Sequence, residues 1–369
     1  KRPSESECRV LGKTVRSGAI GQTDLARATG LAQQSISRIV KSLIQVGAAT
    51  ETKRVRSGKR GQPSVVIRVN PTFAYTIGVS LMTDALAVAV MDFSGQVVDE
   101  AYECMPNMQR EHVLRISKQI IDDMVSTHNI ERTRLLGAGV CLSGRHIGPG
   151  AVYNTPELLD DWALVAVDTI FEDHLGLPVW VENDGNAAAV GESLVGVGRS
   201  YDHFAYLYID TLLGGGVILN HELMRGVHGN GGELGMLLPK EHYQHPSLHS
   251  LLETLAQNGT AHDSVSTMIR NFDEHWPGIE DWISETCSGL SLIASSLAAI
   301  LDPEAIVIGG RMPKSLAKRV IPHVSLFNDP RRGKPRPLPQ LLVAQASGNA
   351  SAIGAAALPF KDQFFAAAT

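Results

Sequence analysis

The sequence predicts an α/β protein in two unequal parts: a helical head closed by a β-hairpin, then a two-lobed α/β body. Three observations predict it. Charge divides the 369-residue chain: residues 1–70 carry fourteen Lys/Arg against Glu5, Glu7, Asp24 and Glu51, a net of +10, while the remainder holds 19 basic and 34 acidic residues, a net of −15. Helical periodicity fills the segment before Gly47 and gives way there to β-rich stretches. From residue 71 a pattern of strands followed by alternating strand and helix runs twice, restarting at "FAYLYIDTLLGGGVILNHELMRG", which reads as a duplicated α/β unit with a cleft between lobes.

The class is bounded before any motif is read. Hydrophobic residues at 44% and charged residues at 19% are the balance of an ordinary soluble chain, long enough for two or three domains. No run of 18 apolar residues appears, so a membrane partner is not expected, and "KRPSESECRV" lacks the apolar stretch of a secretory signal. Cys8, Cys104, Cys141 and Cys287 are scattered without a CxxC pair, which suits reduced thiols and a cytoplasmic location. A basic head on an acidic body points to a polyanion as partner of the head alone, although a merely solvated basic face has the same charge.

Within the head, residues 9–16 read as a short helix, and Thr23 is the expected N-cap of a second running to about Thr29. Gly30 supplies the tight turn, and a third helix over Gln33–Val46 places Ile36, Ile39, Val40, Leu43 and Ile44 on one face. Ala26, Gly30 and Ile36 stand at offsets 0, +4 and +10, the packing triad of a helix-turn-helix; a generic helical hairpin is the plainer alternative. After Gly47, two β-rich stretches flank a basic, Gly-containing tip and read as the wing of a winged helix. Gln33, Gln34, Ser37 and Arg38 would then face base edges of double-stranded operator DNA. Lys41, Lys53, Arg54, Arg56, Lys59 and Arg60 would meet phosphates. The third helix starts at Ala32–Gln33 without a capping side chain, which forgoes ~1 kcal/mol.

Asn70–Pro71 closes the head. Apolar runs broken by turns at 83–84 and at Ser94–Gly95 predict three strands, residues 110–128 a helix, and "LLGAGVCLSG" a buried strand. "LPVWVENDGNAAAVGE" predicts a strand entering a helix at Asp184–Asn186, so Asn183 and Asp184 fall where side chains face a cleft. An amide and a carboxylate there offer fixed acceptors and donors for vicinal hydroxyls, and the glycines around Glu233 let backbone approach a ligand. Helix capping by Asn183 and Asp184 is the alternative, and the two roles can coexist.

"VENDGNAAAVGE", "GGGVILNHELMRGVHGNGGELG", "LLETLAQ" and "AIVIGG" together resemble the ROK family (repressors, open reading frames and kinases) over nearly the whole chain. The resemblance implies the two-lobed actin-like ATPase (ribonuclease H-like) fold of sugar kinases, with the winged-helix head marking the repressor branch. It implies a head at 1–70, a first lobe at 71–190 to which 345–369 returns, and a second lobe at 191–344 bearing the effector cleft and an oligomerisation surface. In the family's kinases the residue matching Asp184 takes the proton from the attacked hydroxyl, and those matching Asn183 and Glu233 hold the sugar ring. The expected effector set is Gly144, Asn154, Asn183, Asp184 and Glu233.

Departures from the family pattern shape the functional expectation. Ser80–Asp84 stands where ROK kinases have Asp-x-Gly-Gly-Thr, so Met82 would project into the phosphate path, and "DTLLGGG" puts Asp210 and Leu212 in place of glycines. Phosphoryl transfer depends on those loops, so no catalytic residue and no cofactor is expected, and Asp184 reads as a retired base that holds a ligand. The family's zinc positions carry Met236, Gln244, Pro246 and Leu251, so no metal is expected there. His242, His245 and His249 read as a solvated loop rather than a substitute site, and Glu157 as a change at the pocket rim. The expectation is a DNA-binding regulator, a repressor, of carbohydrate-metabolism genes, a homodimer or homotetramer responding to a monosaccharide or sugar derivative. The alternatives are an ATP-dependent sugar kinase carrying a DNA-binding head, and a constitutive DNA-binding protein with a vestigial pocket.

Overall fold

The structure, a computed structural model, describes residues 2–54, 64–346 and 348–365. Of the expected phosphate contacts, Arg56, Lys59 and Arg60 and the side chains of Lys53 and Arg54 lie outside the described residues.

The head has three helices, α1 (Glu5–Ser17), α2 (Gln22–Thr29) and α3 (Gln33–Gln45), and an antiparallel pair, β1 (Ala49–Arg54) and β2 (Ser64–Val69). Two sequence expectations are corrected here. The first helix starts four residues earlier than residue 9, because Ser4 and Glu7 form a reciprocal capping box. Thr23 is not a cap: α2 begins at Gln22 behind Gly21. Ile20 is fixed by backbone bonds of 2.8 and 3.0 Å to Ile67, so the chain turns into the helix immediately after that bridge. Gly30, at φ +68°, makes the turn into α3, which starts at Gln33 behind Ala32 with no side-chain cap. Burial of Ile36, Ile39, Val40 and Leu43 against Leu25 and Leu11 offsets the missing cap.

The body contains two five-stranded sheets of the same design. The first runs β5 (Val97–Cys104), β4 (Ala85–Asp92), β3 (Tyr75–Leu81), β6 (Leu135–Leu142) and β9 (Val179–Asn183), antiparallel as far as β3 and parallel beyond it. The second runs β12 (Glu222–Leu223), β11 (Leu213–Leu219), β10 (Phe204–Ile209), β13 (Ala305–Gly310) and β14 (Gln340–Val343) in the same order and orientation. A hairpin of β7 (Arg145–His146) and β8 (Tyr153–Asn154) projects beyond the end of β6.

Both faces of the first sheet are covered, which is why β3 and β4 read as unbroken apolar runs. Val113 and Ile121 of α4 (Arg110–Thr127) and Phe171 of α5 (Val167–Leu175) cover one face. The other is covered by α6 (Asp184–Val195) and α11 (Ala350–Gln363), which cross so closely that a Cβ on Gly354 would lie 1.8 Å from the Ala187 carbonyl oxygen. At the end of α11, Phe360 and Phe365 stack around Phe93 in one continuous core with the head's Val10, Leu11 and Ile36. The second sheet packs on α7 (Leu248–Gln257), α8 (Val265–Arg270), α9 (Ile279–Ile300) and α10 (Lys314–Val320). Helix α9 is apolar enough by length and composition to cross a membrane, but Trp282, Ile283, Leu290 and Ile293 are buried in this lobe's core.

Candidate effector cleft

A cavity of about 470 Å³ opens between the lobes, and Gly144, Asn154, Asn183, Asp184 and Glu233 all line it. The β9–α6 junction places two of them. Asn183 is the N-cap of α6: its Oδ1 accepts from the N–H groups of Gly185 and Asn186 at 2.9 and 3.3 Å, and its Nδ2 donates to the Gly144 carbonyl at 3.0 Å. Its amide is therefore largely committed to the fold, and one remaining N–H is left for a ligand. Asp184, the first residue of the helix, accepts from the Gly185 N–H at 2.9 Å and is 8% exposed. A Cβ on Gly185 would lie 2.6 Å from the Gly215 nitrogen, so the glycines of "LGGG" draw β11 beneath the helix start.

That close approach sets the electrostatics. Burial pushes the Asp184 carboxyl up to about 7, and the neighbouring charges of Asp210 and then Glu233 add to it, against the Gly185 N–H. Burial also raises Glu233, opposed by Arg145, whose Nε stands 3.7 Å from its carboxylate. Gly144 adopts φ +153°, and a Cβ there would meet the Asn154 carbonyl at 3.0 Å, so glycine lets the chain enter the β7–β8 hairpin. Two bonds between His146 and Asn230, of 2.8 and 2.9 Å, tie that hairpin to the second lobe.

Sequence reasoning missed several lining residues. Arg145, Thr155, Tyr208, Lys240, His245 and Ser247 also face the cleft. Arg145 directly follows Gly144, the one local signal that marked it. Glu157 is exposed and directly follows the lining residue Pro156. Met82 is buried and lines the cleft, and Asp210 is tied at 3.0 Å to Arg311, a residue the sequence did not single out.

The three loop histidines part company. His245 bonds the Leu238 carbonyl at 2.8 Å, and His249 stands 3.4 Å from Glu253 one turn along α7. Among the described residues no group of three His, Cys, Asp or Glu could hold a metal ion. Elemental analysis of dialysed protein is expected to find well under one zinc per chain. About one zinc, lost on replacing His245 and His249, would show a substitute site.

On the head, Gln33, Gln34, Ser37, Arg38 and Lys41 are exposed on α3, on the side away from the buried Ile36, Ile39, Val40 and Leu43.

Comparison with known proteins gives a consistent picture. A model of the ROK family matches residues 76–362. The xylose repressor of Bacillus subtilis (strain 168) is 27% identical over 61% of this chain and 58% of its own length, so the chain spans little more than half of that relative. A solved ROK family transcriptional regulator, a homolog of the E. coli MLC protein, superimposes with a TM-score of 0.63 at 19% identity, over 98% of this chain and 97% of its own. A ROK family glucokinase from Streptomyces griseus, solved with glucose and AMPPNP, gives 0.60 at 24% identity, over 77% and 99%. At such identities both structures speak for the fold alone.

Proposed function

The chain belongs to the ROK family, and from that premise we propose that it is a sugar-responsive, DNA-binding transcriptional regulator, a repressor that binds a monosaccharide without phosphorylating it. The observation that carries this reading is the pairing, in one chain, of a bare polar face on α3 with a carboxyl-lined cleft between lobes. The name of the Bacillus subtilis xylose repressor supports it.

In this reading α1–α3 and the β1–β2 ladder are a winged helix-turn-helix, with α3 in the major groove. Gln33, Gln34, Ser37 and Arg38 meet base edges, and Lys41 meets phosphate. Two such heads on a homodimer, or two pairs on a homotetramer, address half-sites related by a two-fold axis. A monosaccharide suits a cavity of about 470 Å³ whose polar groups converge from both lobes. Asp184 accepts from one ligand hydroxyl, Glu233 from another, and the free N–H of Asn183 donates to a third. The place of action is the cytoplasm, where the free thiols of Cys8, Cys104, Cys141 and Cys287 stay reduced.

Charge speaks against phosphoryl transfer. A nucleotide's phosphates would enter past Met82 and meet Asp210, whose carboxylate lines the cleft. Like charge in a half-buried site opposes them.

Ligand binding reaches the head along packed helices. Asp184 opens α6, α6 crosses α11 at Gly354, and the end of α11 abuts α1, where a Cβ on Gly12 would lie 3.1 Å from the Phe365 carbonyl oxygen. A sugar shifts this system by its differential affinity for the two lobe arrangements.

The test is an operator titration with a panel of monosaccharides, with ADP release measured in parallel at millimolar ATP. One sugar is expected to change operator affinity and raise the melting temperature, with no sugar-dependent ADP. Sugar-dependent ADP above background would favour the kinase reading. A panel that moves neither affinity nor melting would leave the cleft vestigial.

A further inference from the structure

Arg311 follows β13 directly, after Gly310, whose φ of +95° turns the chain inward. Its Nη1 donates to Asp84 Oδ1 at 2.9 Å and to Asp210 Oδ1 at 3.0 Å. Its Nη2 donates to the hydroxyls of Tyr102 and Ser266, each at 2.8 Å. Asp84, in the β3–β4 turn, and Tyr102, on β5, belong to the first lobe, and Asp210, just past β10, and Ser266, on α8, to the second. Asp84 accepts a further bond of 2.8 Å from the Ser266 N–H, at the start of α8. Alongside, the hydroxyls of Thr83 and Thr211 meet across the lobes at 2.9 Å. The Arg311 side chain is 5% exposed.

We propose that the Asp84–Arg311–Asp210 bridge is an interlobe latch, with Arg311 the positioning residue that holds the lobes closed and so sets how strongly a cleft ligand can act. The proposal rests on the regulatory reading of the cleft. Its chemistry is asymmetric. When the lobes part, Asp84 and Tyr102 leave with the first lobe, while Arg311 keeps Asp210 and Ser266 and gains water. No lone buried charge is stranded, so opening stays accessible. Burial disfavours the Arg311 cation, but the carboxylates of Asp210 and Asp84 more than restore it, so the latch favours closure and a ligand moves the lobes only by its differential affinity for the two arrangements. The latch also shares Asp210 with the sensing carboxyl: the charge of Asp210 is one reason Asp184 keeps its proton. Lobe closure and the state of Asp184 are thereby joined through one residue.

The experiment follows amide hydrogen exchange in the full chain, with neither DNA nor sugar, for the parent, Asp84→Asn, Arg311→Lys and Arg311→Met. Asp84→Asn keeps the side-chain size and leaves the Arg311–Asp210 pair in place, so it decides the matter even if Arg311→Met folds poorly. Exchange in the segments 82–86 and 264–268 is expected to quicken at least tenfold in Asp84→Asn and Arg311→Met, with Arg311→Lys between them and the parent, while β6 and α9 keep their protection. Unchanged exchange in both segments of Asp84→Asn would overturn the latch. So would an acceleration spread evenly through β6 and α9, since that marks ordinary loss of stability. Because no operator or sugar is present, failure here leaves the regulatory reading standing, and a failed sugar panel leaves the latch standing.

Discussion

Asp184→Asn is expected to weaken the sugar response of operator binding ten-fold or more while leaving ligand-free operator affinity nearly unchanged. The side chain lies buried in the cleft at the start of α6, outside the head, so it is not expected to contact DNA. Asn keeps the oxygen that accepts from the Gly185 N–H and loses only the charge. A charge-assisted bond from a ligand hydroxyl contributes ~1.5–3 kcal/mol, and ~1.4 kcal/mol is a factor of ten. Glu233→Gln should act alike. Operator titrations with and without sugar decide it: loss of ligand-free DNA binding in Asp184→Asn would make the residue structural, and normal responses in both variants would put the effector elsewhere.

The same carboxyl gives this prediction a pH signature. Folded, Asp184 holds its proton up to about 7; unfolded, it releases it near the ordinary value of 3.8. Between those values the native state binds the extra proton, so the stability that Asp184 contributes is complete at low pH and is lost as pH rises through about 7. Asp184→Asn carries no such cost. It should match the parent near pH 4 and exceed it by about 2–4 kcal/mol above pH 7, read from urea unfolding at a series of pH values. A hydroxyl donates more strongly to the ionised form of Asp184, so sugar affinity should rise between pH 6 and 8 in the parent and stay flat in the variant. A pH-independent stability difference would mean that Asp184 is not held protonated.

Much of this was legible in sequence because the information is local. The duplicated body shows in the restart at Phe204, and the structure returns the same strand order and orientation in both sheets. The β9–α6 junction was readable from "VENDG", since a strand meeting a helix must cap it and Asn183 does so. Helix starts were less secure. The Ser4–Glu7 capping box is local to four residues, whereas the start of α2 depends on the Ile20–Ile67 bridge, 47 residues apart in the chain. Arg311 was not readable at all. Nothing in "GGRMP" says that its partners stand at 84 and 210, and only the folded lobes bring those carboxylates to one guanidinium.

Arg38→Ala and Lys41→Ala should separate the two jobs of α3. Both side chains are exposed on its polar face, so neither removal opens the core formed by Ile36, Ile39, Val40 and Leu43. Melting temperatures should therefore stay near the parent's. In the proposed reading Arg38, one turn into the helix, gives a guanine two hydrogen bonds, and losing them should cost ~1–3 kcal/mol on the preferred operator and relax preference at one base pair. In the same reading Lys41, nearly a turn further along, meets the backbone of the duplex rather than base edges. Its loss should weaken preferred and scrambled sequences alike and flatten the dependence of log affinity on log salt by about 0.9 per phosphate contact. Competition binding at several salt concentrations, with operators varied one base pair at a time, measures both effects. If Arg38→Ala left the preference untouched while Lys41→Ala changed it, α3 would lie in the groove the other way round. If neither variant bound DNA differently from the parent, the helix that reads the operator would not be α3.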